Sequence, residues 1–209
     1  MEIIDLTHTI RPGMPVFPGT MPPIFEDANT IEKDGFRETR LTMYSHTGTH
    51  VDAPSHIFRD GRSLHELGIS HFVGKGVLVD SGRHEKIDLG ILQSRSKLIT
   101  DSDFVLLHTH WGERWGTDGY FDGHPSLTIA AAKWLSEQNI KGVGIDAISI
   151  DPMDSVDLPI HRVLLSKEMI IIENLANLEK IGRETFIFSC APLRTLDADG
   201  SPVRAYATY

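Results

Sequence analysis

Ser45-His46-Thr47-Gly48-Thr49-His50-Val51-Asp52-Ala53-Pro54-Ser55-His56 is the stretch from which the rest of the chain is read. Three histidines and an aspartate fall between positions 46 and 56. Imidazole and carboxylate together suit a first-row ion such as zinc or manganese, whereas many purely structural zinc sites recruit thiolate. Regular structure does not bring these groups together. In a straight strand His46 and His50 share a face but sit about 13 Å apart, too far for one ion. A helix brings positions four apart together, but it rotates Asp52 off that face, and Pro54 is a poor helix residue. A bent extended segment satisfies both demands. Gly48 lies midway between the two histidines, where a bend needs a residue with free backbone angles. His50 and Asp52 keep local strand spacing and point the same way. His56, beyond Pro54, is free to be placed differently.

Composition narrows the partners. The 209 residues are 40% hydrophobic and 23% charged, ordinary for a globular chain, and suffice for one domain spanning 1–209. The net charge of −9 argues against nucleic acid and anionic membrane, both of which need a basic patch. A small-molecule partner remains. Cys190, the one cysteine, cannot close an intrachain disulfide and lies in the apolar run Phe186-Ile187-Phe188-Ser189-Cys190-Ala191-Pro192, as a buried, inert thiol would. Met1-Glu2-Ile3-Ile4-Asp5 carries no signal-peptide pattern, and no apolar run approaches the ~18 residues of a membrane span. The expected location is cytoplasmic.

Around the motif the chain alternates strands and helices irregularly, which predicts a mixed α/β domain. Strands are expected over Glu2–Leu6, Phe36–Tyr44 (leading into the motif), Gly76–Asp80, Asp103–His108, Lys141–Asp146, Met169–Glu173 and Thr185–Ser189, with an edge strand at Pro202–Tyr206. Ser63 should cap a short helix over Leu64–Leu67, with Glu66 completing a capping box. Ser126 should cap a helix running to Asn139, and His161–Leu165 should be helical. The proline-dense stretch from Arg11 to Pro23 is an irregular loop, either clamped on the core or forming an aromatic wall of a pocket. His108 and His110 share a strand face and could pair on a metal. Beside Trp111 and Trp115 they read better as a pocket-lining loop. The acidic run Ser149–Asp157 lacks the calcium-loop spacing and is expected to be solvated.

The string His46-Thr47-Gly48-Thr49-His50-Val51-Asp52-Ala53-Pro54-Ser55-His56 resembles the motif of the cyclase family of metal-dependent hydrolases, which includes bacterial kynurenine formamidases and isatin hydrolases. The likeness extends to Asp5-Leu6-Thr7, Pro15-Val16-Phe17-Pro18-Gly19, Gly144-Ile145-Asp146 and the distal pair His161 and Glu173. The resemblance implies a mixed, barrel-like β-sheet flanked by helices, and a homo-oligomer, dimer or tetramer. It implies one or two divalent ions, zinc or alternatively manganese. His46, His50 and Asp52 would bind the first, and Asp52, His161 and Glu173 the second. It implies His56 as the catalytic acid/base and Phe17 as a substrate-binding aromatic, at a position that is tryptophan in typical kynurenine formamidases.

The activity so implied is hydrolysis of a small aromatic amide or formamide, N-formylkynurenine to kynurenine and formate, with isatin or another cyclic amide as the alternative. Two other classes compete. His50, Asp52 and His161 also spell the two-histidine, one-carboxylate triad of an iron(II) oxygenase, which leaves His46 and Glu173 unused. A non-catalytic metal-binding protein would leave His56 without a role.

Overall fold

The computed structural model describes residues 1–209. Its strands are β1 (Ile3–Asp5), β2 (Ile24–Asn29), β3 (Glu38–Thr42), β4 (His50–Asp52), β5 (Val73–Asp80), β6 (Lys86–Ile87), β7 (Phe104–His108), β8 (Ser126–Leu127), β9 (Gly142–Ile145), β10 (Ile170–Glu173), β11 (Thr185–Ser189), β12 (Gly200–Pro202) and β13 (Tyr206–Thr208). The helices α1 (Ile31–Asp34), α2 (Leu89–Gln93), α3 (Ser96–Thr100), α4 (Ile129–Ser136) and α5 (Pro159–Leu165) are short.

Nine strands form one mixed sheet in the order β1-β13-β11-β5-β7-β9-β10-β4-β12. The centre, β5-β7-β9-β10, is parallel. Parallel neighbours need crossovers, which α2 and α3, then α4, then α5 supply. Both flanks are antiparallel.

One segment curls this sheet. β12 pairs with β4 at one edge, and β13, just downstream, pairs with β1 and β11 at the other. The two ends also meet directly: the Ala176 amide donates to the Leu6 carbonyl, and Thr7 bridges Leu175. The result is the mixed α/β, barrel-like architecture expected, as a half-barrel. The expected single edge strand at 202–206 is replaced by these two, because Val203 and Ala205 are buried where the segment crosses the inside of the curl.

Strand alternation sorts the core into two. On β7, Phe104 and Leu106 point inward with Ile170, Ile172, Phe186 and Phe188. Val105 and Leu107 point outward onto Ala131, Leu135, Ile160 and Leu164 of the helices. Truncating any one of the leucines, isoleucines or phenylalanines among these to alanine costs about 2–5 kcal/mol. The inside is tight at β9, where a Cβ on Gly144 would meet Leu175 Cδ1 at 2.6 Å and Leu106 Cδ2 at 2.7 Å.

Two local expectations need correction. Helix α4 begins at Ile129, not after Ser126: Thr128 is the cap, accepting from the Ala131 amide, while Ser126 is committed to pairing with β6. It also ends at Ser136, short of Asn139. The strand expected over 36–44 does not run into the motif. As β3 it pairs only with β2, and this two-stranded ribbon has no buried residue on either strand. The capping box at Ser63 and Glu66 forms as expected, on a single 3₁₀ turn, Leu64–Glu66.

A candidate metal centre between strand 4, strand 10 and helix 5

Gly48 makes the bend that the motif requires. Its φ is +67°, and a side chain there would press on Met14 Cε at 3.0 Å. Met14 is buried, so the proline-rich loop is clamped on the motif. After the bend, Val51 enters the inner core while His50 and Asp52 face outward, opposite Glu173 and Ile171 of β10. Helix α5 crosses this outer face and carries His161. Sequence-distant residues therefore meet: His46, His50, Asp52, His161 and Glu173 line one cavity of about 280 Å³, together with His56 and Phe17. All seven site residues expected from the sequence lie on its wall. Phe17 is 45% exposed, at the mouth.

The distances define two groups that share Asp52. His46 Nδ1 lies 2.6 Å from Asp52 Oδ1, and His50 Nε2 lies 3.3 Å from the same oxygen. His161 Nε2 is 3.6 Å from Asp52 Oδ2 and 3.4 Å from Glu173 Oε1. Within each group, one donor atom per residue falls within 4.8 Å of the others. Asp52 is fully buried, and its Oδ2 has no hydrogen-bond partner. An orphaned carboxylate oxygen among imidazoles is a poor resting arrangement in a protein interior unless a cation completes it. The donor set fits a divalent ion.

Several donors are held in orientation from behind. His50 Nδ1 donates to the Gly48 carbonyl at 2.8 Å, which turns Nε2 into the cavity. His161 Nδ1 donates to Asp151 Oδ2 at 2.7 Å. Glu173 Oε1 accepts from the Ile150 amide at 2.8 Å. The charge balance points the same way. Burial opposes the charged form of His46, yet the Asp52 and Asp199 carboxylates raise its pKa to about 10. Burial likewise opposes a charged His161, and Asp151, Asp52 and Glu173 overcome it upward. Asp52 is driven well below the usual carboxylate range despite burial, by His50 and His46. The cavity demands positive charge, which divalent ions would supply in place of protons. His56 behaves differently: burial dominates and lowers its pKa, so it is a neutral imidazole near pH 7.

Three functional residues escaped the sequence reading. Asp151, assigned there to a solvated acidic loop, is 0% exposed. It accepts from the amides of Ile160 and His161 at 2.9 Å each, capping α5 and bracing its histidine at once. The apolar alternation Ile148-Ser149-Ile150 just before it is the sequence signal that could have found it, and both isoleucines are buried. Asp154 and Asp157 are exposed, as expected. Asp199 Oδ2 lies 3.0 Å from His46 Nε2 and 3.6 Å from His56 Nδ1. Its side chain is 46% exposed, so this third grouping opens to solvent and reads as orientation of the two rings. Asn174, in the left-handed conformation, donates to the Gly48 carbonyl and accepts from the Tyr120 hydroxyl, which locks the bend to the end of β10. His108 and His110 lie outside this cavity, on another one.

Known proteins share this arrangement of the chain. Residues 4–152 match the family model described as "Putative cyclase". A kynurenine formamidase of Bacillus cereus is 32% identical over 205 residues, covering 98% of this chain and 96% of the relative. A kynurenine formamidase of Erythrobacter litoralis is 30% identical over 98% of this chain and 92% of the relative. Among solved structures, isatin hydrolase A from Labrenzia aggregata, bound to benzyl benzoate, superposes with a TM-score of 0.88 at 28% identity over 99% of this chain and 93% of that one. A potential metal-dependent hydrolase with cyclase activity superposes at 0.84 with 30% identity, over 99% and 96%.

Proposed function

The chain belongs to the cyclase family, and from that premise we propose that it is a metal-dependent amidohydrolase cleaving the C–N bond of a small aromatic formamide or amide, N-formylkynurenine before others. The single observation that carries this reading is Asp52: buried, shared by two donor groups, with one oxygen unpartnered. His46, His50 and Asp52 would hold one divalent ion, and Asp52, His161 and Glu173 a second, zinc or manganese in either case. Such an ion supplies a Lewis acid that acidifies water and polarises the scissile carbonyl.

The protein's own groups do the rest. His56, neutral and on the cavity wall, takes the proton of the attacking water and returns it to the leaving nitrogen as the C–N bond breaks. For a formamide the products are formate and the free amine. Asp199 steers the His56 ring from its Nδ1 side, leaving Nε2 for this traffic. Phe17 at the mouth offers a flat apolar surface to an aromatic acyl-amide, with Ile148 and Leu158 deeper in the wall. The curated relatives are named kynurenine formamidase and a structural neighbour is an isatin hydrolase, so a cyclic amide is the second substrate reading. An iron oxygenase triad of His50, Asp52 and His161 would leave His46 and Glu173 idle in the same cavity.

The test is hydrolysis of N-formylkynurenine, isatin and simple cyclic amides with and without chelator, beside elemental analysis of the purified protein. Chelator-sensitive turnover of one of these is expected. A metal-loaded enzyme inert on all of them ends the reading.

The working unit is a homo-oligomer, at least a dimer, and the β2–β3 ribbon supports this. An isolated two-stranded ribbon is marginal in water. This one exposes Ile24, Phe25 and Leu41, with Phe36 and Tyr44 alongside. A second copy of the chain would cover them. Sedimentation should give a dimer or tetramer that Leu41→Glu dissociates. No helix is long and apolar enough to cross a membrane. A cytoplasmic setting suits a chain whose one thiol, Cys190, is buried and free.

A further inference from the structure

Away from the catalytic cavity, the parallel strands β5 and β7 end side by side with Asp80 opposite His108 in register. Two residues on, His110 adopts a left-handed backbone, φ +62°, a region that histidine, asparagine and aspartate enter more readily than most residues. That turn folds its ring back over His108, with centroids 3.9 Å apart. His110 Nε2 lies 3.1 Å from Asp80 Oδ1. A ring nitrogen from each histidine and a carboxylate oxygen of Asp80 fall within 4.8 Å of one another, and the three share no residue with the catalytic centre.

We propose that Asp80, His108 and His110 form a second site for a divalent cation of the zinc type. A simple hydrogen bond accounts for His110 and Asp80 but not for His108. The His108 side chain sits in a residue only 6% exposed, and the side-chain hydrogen bond at this residue runs to its backbone carbonyl, from the Ser81 hydroxyl. Its ring has no protein hydrogen-bond partner and faces the neighbouring cavity, beside a second imidazole and a carboxylate. Tetrahedral zinc ligands at 2.0–2.1 Å from the ion lie about 3.3 Å from one another, which small side-chain rotations reach from the spacing present. The outer contacts suit ligation as well. The Gly82 amide donates to Asp80 Oδ1 at 2.8 Å and fixes the carboxylate, while Glu113 Oε1 stands 3.7 Å from His110 Nδ1. The histidines border a cavity of about 280 Å³ with Thr7, His8 and Glu179, which leaves water room to take the open position. An ion here would tie the end of β5 to the turn that carries Trp111, whose indole N–H holds the Tyr120 carbonyl.

Zinc titration separates this site from the catalytic one. In an Asp52→Asn background, which removes the ligand common to both catalytic ion positions, calorimetry with zinc alone should still detect one equivalent. Adding His110→Asn, which keeps a residue tolerant of the left-handed backbone, should weaken that binding at least about tenfold. Adding Asp80→Asn instead, which preserves the contact to Gly82, should do the same. Unchanged zinc affinity in both double variants overturns the proposal. Should Asp52→Asn fail to fold, metal content of the zinc-saturated chain decides. His110→Asn and Asp80→Asn should each hold one ion fewer than the unaltered protein, and equal content in all three overturns the site. Turnover of the amide panel does not enter either readout, so a wrong substrate assignment leaves this test standing.

Discussion

The β4–β10 edge and the β5–β7 ends carry the same ingredients, histidines and carboxylate at strand termini, yet they are built differently. At the first, Asp52 and His161 are nine-tenths or more buried and His50 and His161 are braced from behind by Gly48 and Asp151. At the second, only His108 is buried and the Asp80 side chain is largely open to water. The contrast separates a centre that can do chemistry from a group that can only hold an ion. Chemistry of the proposed kind needs a cation shielded from bulk solvent with room for one reactive water, a carboxylate shared between positions, and a separate neutral base within reach. Only the first region has a His56.

The largest break in that comparison is Asp52→Ala. It removes the ligand proposed as common to both ion positions, so metal content should fall by both ions. Turnover should drop by more than the about 10²–10⁴-fold that one proton-transfer group supplies. Elemental analysis beside kinetics checks it. His56→Ala comes next: turnover should fall about 10²–10⁴-fold with metal content intact, and unchanged turnover would remove His56 from the mechanism. The pH profile sharpens this. Burial lowers the pKa of His56, and the proposed mechanism uses the neutral ring as its base. The acid limb of kcat/KM should therefore lie below the ordinary histidine value of about 6.5, and that limb should vanish in His56→Ala.

Asp151→Asn tests the bracing. The amide oxygen can still cap α5, but the charge that orients His161 is gone, so metal affinity should fall about 10–100-fold with the fold retained. Calorimetry on the chelator-treated protein reads it. The smallest effect belongs to the other region, where His110→Asn should leave amide turnover unchanged. A loss of turnover there would mean that the two regions are coupled, and the contrast drawn above would fail.

The motif was legible because its chemistry is local. Gly48 between two histidines, with Asp52 two residues further on, forecasts a bend whatever the rest of the fold does. His161 and Glu173 were legible only through family likeness, since no local rule brings a helix and a strand end back to residue 52. Asp151 was misread for a physical reason. A carboxylate in an acidic run looks solvated, and its burial depends on a helix that starts eight residues later, at Pro159, and needs a cap. Asp199 and Gly200 left no trace in the sequence. Their roles come from β12 pairing beside β4, where a Cβ on Gly200 would meet the His46 ring at 2.5 Å. The Ser63 capping box was legible, whereas α4 differed at both ends, because strand pairing took the serine that the pattern offered as a cap.

The segment spanning 199–208 has a consequence for how the molecule comes into being. β1 leaves the ribosome with no neighbour to bind, and its partner β13 is translated only at the far end of the chain. The His46 ring likewise awaits Asp199. Contacts of such sequence separation slow folding, so the curl of the sheet and the His46 contact can close only after residues 199–208 have been made. The proposed metal centre is therefore complete only once the last strands are in place.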